Sequence, residues 1–551
     1  MSDEATHRLP MTDETMNRLQ PTRTNRMMMN RPLALGALLL AILFTTTDAA
    51  AQPAYEANRK LPAIPLVEGE PQLRVIYPES AMTRPNVKRN FIFGSTGNGR
   101  MTLTINGTSV RVAPNGAYLA FLRVPRDREY DLVGVLDGDT SRMTYRFAPD
   151  DEPTSSPTVR NVHPTPITGE VTGGVDTLAS GSGIAYGAPT KWANREWFFP
   201  IGTRFPVLER NGDHFRIDLD GITAWVEAEY VTTRTDRPRS SEIGVDIGVR
   251  PEIPWTDLVI PVDGAPFRVE ATRKKITLTF YNAYSRRLET EMTGGKKGRY
   301  TVANLPDDLV DAYSWRTEGK GARVRLDIDL RRSLWGFKTF YDDAGSLVLR
   351  IRRPNTIDAE DPLRGLTIMV DAGHPPRGAT GPTGLTEADA NLAISLVMEK
   401  KLKQRGAHVV MTRRDRGPLL TLDDVSAELT ARVDHAVAQN ADILISVHNN
   451  GFSDGIDPWK RNGTETYYYH TFASGLAKTV QKEIVGVTGV PSLGHKQRSL
   501  ALIRPTWMPA ILTESLYMMH PQQEQALRDS AFLDRLAEAH IRGVENWVRG
   551  Q

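Results

Sequence analysis

The pattern of hydrophobic and polar positions changes character near residue 360. Before that point, short β-branched or alternating runs are separated by turn signals, which predicts strands almost throughout. After it, strand-like runs alternate with segments whose apolar residues recur at helical spacing. The sequence therefore predicts a multidomain chain, with all-β modules followed by an α/β domain that has a mostly parallel sheet flanked by helices.

The first β region, residues 54–150, contains short strands at regular spacing and an Asn106-Gly107 hairpin signal. This spacing predicts a β-sandwich, and the region resembles a small immunoglobulin-like module of secreted bacterial enzymes. An Asp-, Pro- and Ser-rich stretch at 150–157 is typical of a linker.

Two further β regions follow, at residues 160–235 and 241–354. The first ends in a hairpin and the segment Gly221–Val226, and it resembles bacterial SH3-like domains of cell-wall proteins. Both wall binding and a spacer role stay open for it, because fold alone does not determine function. The second ends in a hairpin at 336–353 and resembles the AMIN-like domains that precede some cell-wall amidases.

The α/β domain is predicted to cover residues 362–551. The apolar pattern predicts four helices and five strands. The helices are expected at 387–405, 423–439, from about 470 to 485, and 521–549, and the strands at 366–370, 408–411, 442–447, 466–469 and 510–512.

The amino terminus has the features of a secretory signal peptide within residues 1–51. Arg26 and Arg31 precede the apolar run Pro32–Phe44, and the small residues Ala49–Ala51 follow it. The run is shorter than the roughly 20 residues of a membrane span, so an uncleaved anchor is the less favoured interpretation. The mature chain is therefore expected in the periplasm or cell envelope, without a membrane span.

Composition restricts the chemistry. The chain has 551 residues, a formal net charge of +2 and no cysteine. The small charge gives no reason to expect nucleic acid as a partner. Without thiolates, a metal ion must be held by histidine and carboxylate side chains.

Two histidines lie where buried strands end. His374 follows Ile368–Ala372, and His448 ends the run Ile443–Val447. Ligands of parallel sheets bind beyond the carboxyl ends of the strands, so both imidazoles are expected at one edge. Alone, each histidine is more often a polar residue that the backbone satisfies, but the pair suggests a metal.

A catalytic zinc ion needs three protein ligands and an open position. Glu387, at the start of a helix, is the preferred third ligand, and Asp389 is the competing candidate. Glu514 follows the strand at 509–513 and is predicted to act as the general acid/base.

At this point a family resemblance becomes specific. Residues 366–549 resemble the zinc-dependent N-acetylmuramoyl-L-alanine amidases called amidase type 3. The matching elements are Val-Asp-Ala-Gly-His374, Gly-Leu-Thr-Glu387, Asn391-Leu-Ala, Met-Thr-Arg413, Arg432, Ile-Leu-Ile-Ser-Val-His448-Asn-Asn and Pro-Ala-Ile-Leu-Thr-Glu514. The resemblance implies zinc at His374, Glu387 and His448, catalysis by Glu514, and peptidoglycan as the substrate.

The chain departs from the family pattern at two places and lacks a feature of some relatives. One departure is the turn Arg413–Gly417, which alters the arginine-rich turn before the family's second helix. Pro375 and Pro376 stand where glycines usually follow the first histidine, which predicts a stiffer loop. The loop Gly451–Arg461 is too short for the inserted helix that plugs the zinc site in some relatives. We therefore expect no autoinhibition of that kind, and the sequence identifies no activator protein.

Substrate contacts are predicted at Asn449, Arg498 and Arg504, with His495 as a further cation nearby. Arginine suits the recognition of carboxylates, although solvated surface charge is an equal alternative. Trp459 and Trp507 could stack on sugars, but core packing is the stronger expectation for both. Two other functions stay open: a non-catalytic wall-binding scaffold, and a zinc peptidase acting within the stem peptide.

Overall fold

The computed structural model describes residues 58–81, 86–147, 160–174, 183–190, 193–290, 292–293, 296–319, 322–375, 378–421 and 425–551. The predicted signal region 1–51 and the predicted linker 150–157 lie outside these residues, as does Pro376. The described residues all belong to one compact unit, so the β regions and the α/β domain are packed together.

The first β region consists of two antiparallel sheets, of order β1-β2-β5 and β4-β3-β6-β7. Alternating side chains of both sheets, including Ile92 and Leu132, form a shared core. This agrees with two packed sheets, while the immunoglobulin-like assignment stays a prediction. The strands are β1 Arg74–Tyr77, β2 Arg89–Ser95, β3 Thr102–Ile105, β4 Thr108–Val110, β5 Ala117–Arg123, β6 Glu129–Leu136 and β7 Asp139–Arg146.

The second β region is one antiparallel sheet of order β10-β9-β13-β12-β11-β8-β14. The long strand β8 pairs with both β11 and β14, so the first and last strands of the region are joined. Its SH3-like assignment stays a prediction. The strands are β8 Arg160–Val171, β9 Gly183–Tyr186, β10 Arg195–Phe199, β11 Arg204–Asn211, β12 His214–Leu219, β13 Ile222–Glu227 and β14 Val231–Arg234, with a 3-10 helix at Ala228–Tyr230.

The third β region has sheets of order β16-β17-β27-β26 and β18-β19-β25-β24-β23-β21-β22, plus the short parallel pair β15-β20. Its AMIN-like assignment likewise stays a prediction. The elements are β15 Ser241–Glu242, β16 Gly248–Pro251, β17 Trp255–Ile260, β18 Phe267–Ala271, β19 Lys275–Tyr281, β20 Ala283–Tyr284, α1 Arg286–Thr290, β21 Met292–Thr293, β22 Lys296–Lys297, β23 Arg299–Val302, β24 Val310–Glu318, β25 Arg323–Leu330, β26 Phe337–Tyr341 and β27 Leu347–Arg352.

The α/β domain contains a sheet of order β29-β28-β30-β33-β31-β32. Only the β31–β33 pair is antiparallel among these neighbours, which confirms the predicted mostly parallel sheet. The elements are β28 Thr367–Ala372, α2 Glu387–Gln404, β29 His408–Met411, α3 Val425–Ala438, β30 Ile443–Asn450, β31 Thr464–Tyr468, α4 Ser474–Thr488, β32 Ser492–Gln497, β33 Ala510–Tyr517, α5 Pro521–Ala526 and α6 Ser530–Arg549, with 3-10 helices at Thr471–Ala473 and Ala501–Ile503.

Three details of the predicted elements were wrong. The single helix expected at 521–549 is two helices, because Asp529 accepts a hydrogen bond from the Phe532 amide (2.7 Å) and caps α6. The strand β32 was not predicted, since Ser492–Gln497 has no apolar run and pairs only at the sheet edge. His448 and Glu514 lie inside β30 and β33 rather than beyond them, because these strands continue to Asn450 and Tyr517.

Among the described residues, no helix has the length and apolar character needed to cross a membrane.

Helices α4 and α6 approach each other closely at Gly543. A Cβ atom there would lie 2.4 Å from Val480 Cα and 2.8 Å from Val480 N. We expect Gly543→Ala to lower the free energy of unfolding by about 1–3 kcal/mol through overpacking. Denaturant unfolding of the whole chain measures this effect.

Gly486 provides the matched control on α4, because a Cβ atom there meets nothing within 4 Å. Gly486→Ala should be neutral or stabilise the protein by up to about 1 kcal/mol, as alanine favours the helix. Equal effects of the two substitutions would contradict the close helix contact.

Candidate metal and catalytic site

The site begins with the parallel pairing of β28 and β30. Asp371 lies opposite Ser446 and Ala372 opposite Val447, so both strands reach the same edge of the sheet. His374 follows β28 by two residues and has a φ of 60°, in the left-handed region that residues other than glycine rarely adopt. The two imidazole rings meet edge to face, with their centroids 4.9 Å apart.

Glu387 joins the two histidines. Its Oε1 atom lies 3.2 Å from His374 Nε2 and 3.1 Å from His448 Nδ1. One donor atom from each residue lies within 4.8 Å of the others, so the three side chains could hold a metal ion. Asp389, the competing candidate, instead pairs with Arg416 at 2.9 Å.

The environment of Glu387 favours its charged form. Burial alone would raise the pKa of this carboxyl, but the hydrogen bonds and charges of His374 and His448 hold its pKa well below the usual value. Its Oε2 atom also accepts a hydrogen bond from the Ala379 amide (2.9 Å). A charged carboxylate beside two imidazoles is therefore available as a ligand.

Gly373 makes room for this arrangement. A Cβ atom at this position would lie 2.3 Å from His448 Nε2 and 2.4 Å from His448 Cε1. Any other residue would displace the imidazole from the cluster. The Gly373 carbonyl accepts hydrogen bonds from Asn391 Nδ2 (3.1 Å) and Arg413 Nη2 (3.1 Å), which fix the backbone next to His374.

A buried ionic network stabilises the end of β28 and the backbone next to His374. Arg432 is 1% exposed and donates to Asp371 Oδ1 (3.0 Å) and to both carboxylate oxygens of Glu428 (2.8 and 2.9 Å). It also donates to the Pro375 carbonyl (2.9 Å), directly after His374. Arg413 and Arg432 are among the positions that resemble the amidase family, but the sequence assigned them no role. The spacing of four residues between Glu428 and Arg432 on one helix is the pattern that indicates an ion pair.

Glu514 lies beside the cluster on the neighbouring strand. It is opposite His448 in the β30–β33 pair, and directly opposed residues of adjacent strands present their side chains on the same face. Its Oε2 atom is enclosed and has no hydrogen-bond partner among the described residues. Burial raises the pKa of Glu514 well above its usual value, and the nearby Glu387 and Glu465 carboxylates add to this.

Glu465 is a second carboxylate in this row that sequence reasoning missed. It lies opposite Glu514 in the β31–β33 pair and is 5% exposed. Asn450 Nδ2 donates to its Oε1 atom (2.8 Å), and Lys496 Nζ contacts its Oε2 atom. The predicted strand began at Thr466, one residue too late to include it.

The predicted substrate contacts separate into two groups. Asn449 is 1% exposed and donates to Asn391 Oδ1 (2.9 Å), and Arg504 is 6% exposed. Both side chains are thus buried in this structure, and their contact with substrate stays a prediction. Arg498 is exposed and directly follows β32. Its positive charge lowers the otherwise raised pKa of Tyr467, which lies on the same strand as Glu465.

The two tryptophans differ in burial, since Trp507 lies in the core and Trp459 is half-buried. Trp507 is 5% exposed and belongs to an apolar cluster with Leu444 and Leu512. Trp459 packs edge to face on His520, with ring centroids 5.1 Å apart.

The network around Arg432 should be essential for stability. Arg432→Met would leave Asp371 and Glu428 buried without their shared cation, so we expect a loss of about 3–5 kcal/mol in the free energy of unfolding. Arg364→Met removes the exposed pair with Asp361 and should have little effect on the free energy of unfolding, because water screens exposed ion pairs. Denaturant unfolding compares the two variants, and equal costs would contradict a structural role for Arg432.

Comparisons with known proteins identify relatives of the α/β domain. Residues 368–546 match the family model described as N-acetylmuramoyl-L-alanine amidase. The uncharacterized protein YqiI of Bacillus subtilis is 31% identical over 196 residues, which cover 34% of this chain and 88% of YqiI. The N-acetylmuramoyl-L-alanine amidase LytC of Bacillus subtilis is 30% identical over 196 residues, covering 34% of this chain but only 37% of LytC.

Among solved structures, an N-acetylmuramoyl-L-alanine amidase from Clostridium difficile has 30% sequence identity, and the match covers 33% of this chain and 97% of that one, with a TM-score of 0.30. The family match falls on the domain that holds the His374, Glu387 and His448 cluster. The chain thus belongs to the N-acetylmuramoyl-L-alanine amidase family, whose members are peptidoglycan amidases.

Proposed function

We propose that this protein hydrolyses the amide between the lactyl group of N-acetylmuramic acid and L-alanine of the stem peptide, with zinc held by His374, Glu387 and His448. The observation that carries the proposal is the convergence of three donor groups from separate elements beside Glu514, whose Oε2 atom has no hydrogen-bond partner among the described residues. The family of the chain supplies the substrate class.

The donor set fits zinc. Two imidazole nitrogens and one carboxylate oxygen form one of the known combinations of catalytic zinc sites, which keep an open position for water or substrate. Calcium and magnesium prefer all-oxygen sites, so they suit this set less well. When bound, the ion supplies Lewis acidity, which polarises a carbonyl and makes water a stronger acid.

Glu514 is positioned to move the proton in this reaction. A water molecule adds its oxygen to the lactyl carbonyl carbon, and Glu514 accepts the proton that the water loses. The C–N bond then breaks, and Glu514 delivers that proton to the departing nitrogen of L-alanine. The products are the muramic acid carboxylate and a stem peptide with a free amino terminus.

Glu465 and Arg498 extend the site along the sheet edge. The Glu465 carboxylate is already held by Asn450 and Lys496, so Glu514 is the freer of the two carboxylates to exchange protons. The exposed guanidinium of Arg498 is suited to a carboxylate of the stem peptide. Export to the cell envelope would bring the protein to this substrate, in agreement with its predicted signal peptide.

A pair of isosteric variants separates the proposed roles. Glu514→Gln should lower turnover by about 10²–10⁴-fold, because it removes the proton acceptor, while zinc stays bound. Glu387→Gln should lose both zinc and turnover, since an amide is a poor ligand. Zinc content of purified protein and the rate on a soluble muramoyl-peptide measure both effects; loss of zinc from Glu514→Gln would contradict this division.

Product analysis tests the bond that is cleaved. Digestion of purified sacculi should release stem peptides that begin with L-alanine, which mass spectrometry and amino-terminal labelling identify. Fragments that begin at a later residue of the stem would show a peptidase instead. Treatment with a chelator should stop the release, and added zinc should restore it.

A further inference from the structure

A loop leaves the catalytic sheet directly after the strand that carries His448. It runs from Gly451 to Gly463, between β30 and β31, and contains turns but no helix. The expected lack of autoinhibition by an inserted helix stays a prediction. Asn450 is the residue directly before the loop. Its side chain donates to Glu465, and its backbone carbonyl accepts a hydrogen bond from the amide of Met518 (3.0 Å), the residue after β33.

The first β region contacts the 451–463 loop through hydrogen bonds. Asp454 accepts hydrogen bonds from Tyr77 Oη and from Asn90 Nδ2 (2.7 Å). Asn90 Oδ1 in turn accepts a hydrogen bond from the Gly455 amide (3.1 Å). Asn90 is 2% exposed, so water cannot readily replace these bonds, and their loss would leave polar groups buried.

Apolar contacts continue the same interface to the end of β33. Phe91, Phe93 and Leu119 of the first β region share a buried cluster with Tyr517 and Met519. The ring of Phe452 stacks on Tyr517, with centroids 4.1 Å apart, and lies 6.3 Å from Phe91. The first β region therefore contacts the segments that follow both His448 and Glu514.

From these contacts we infer that the first β region forms a fixed wall of the catalytic site, in which Tyr77 and Asn90 act as positioning residues for the 451–463 loop. Through Asn450, a displaced loop would disturb Glu465 and the pairing of the strands that carry His448 and Glu514. The inference rests on the proposed function of these residues. It means that the region is needed for turnover even when binding to the cell wall plays no part.

The test uses the full chain and a soluble muramoyl-peptide fragment, so that attachment to sacculi cannot influence the rate. The variant Tyr77→Phe combined with Asn90→Ala removes the contacts to Asp454 and Gly455. We expect kcat to fall by about 10- to 100-fold, since small displacements of catalytic groups have effects of this size. Zinc content should stay unchanged, and hydrogen exchange of residues 451–463 should become faster.

Asp454→Asn and Tyr145→Phe complete the design. Asp454→Asn weakens the same contacts from the loop side without changing side-chain size, so it should reproduce both effects in smaller degree. Tyr145 donates to the Pro78 carbonyl (2.7 Å), directly after Tyr77 but inside the first β region, so Tyr145→Phe removes a comparable hydroxyl hydrogen bond that does not reach the loop. This control should keep the wild-type kcat and exchange rates.

Unchanged kcat in both loop-contact variants would overturn the inference, even if exchange of the loop became faster. A fall in kcat that Tyr145→Phe shares would also overturn it, because general destabilisation would then explain the loss. Hydrogen exchange does not depend on turnover. The wild-type protein could fail to cleave the fragment while the loop-contact variants still show faster exchange of residues 451–463. That result would support the contact and contradict the proposed function.

Discussion

The in-register parallel pairing of β28, β30 and β33 is the constraint on which the site depends. It places His374 beyond the end of one strand, His448 near the end of the next, and Glu514 directly opposite His448. Side chains alternate between the faces of a strand, so a slip of one residue would turn His448 to the opposite face. The uninterrupted apolar residues before each functional group, such as Ile443 and Ile511, are fully buried and oppose such a slip.

The carboxylates around this edge have different environments, which give them different chemistry. Glu387 is surrounded by the imidazoles of two histidines and by a backbone amide, so its charge is stabilised despite burial. Glu514 has carboxylate neighbours and an enclosed oxygen that no other described residue hydrogen-bonds, so its charge is opposed. One group is suited to hold a cation and the other to carry a proton, as expected when environments move two pKa values apart.

The sequence predicts those parts of the site that depend on local pattern. Buried strands that end in a histidine, and a glutamate at a helix start, are visible in the order of the residues. Glu465 was missed because its strand was predicted to begin at residue 466, two residues after its actual start at Thr464. The sequence could not predict that Arg498 is exposed and Arg504 is buried, because their exposure depends on tertiary packing alone.

Long-range contacts between regions lie further beyond such prediction. The Tyr77–Asp454 hydrogen bond joins residues 377 positions apart, and neither residue has a local pattern that indicates the other. The composition of the first β region suggests an independent module, yet its aromatic residues pack on Tyr517 and Met519. A surface with a buried asparagine and several aromatic rings would be costly to expose, since both polar and apolar groups would lose their partners. The same physical requirement that buries these residues therefore keeps the β region against the catalytic sheet.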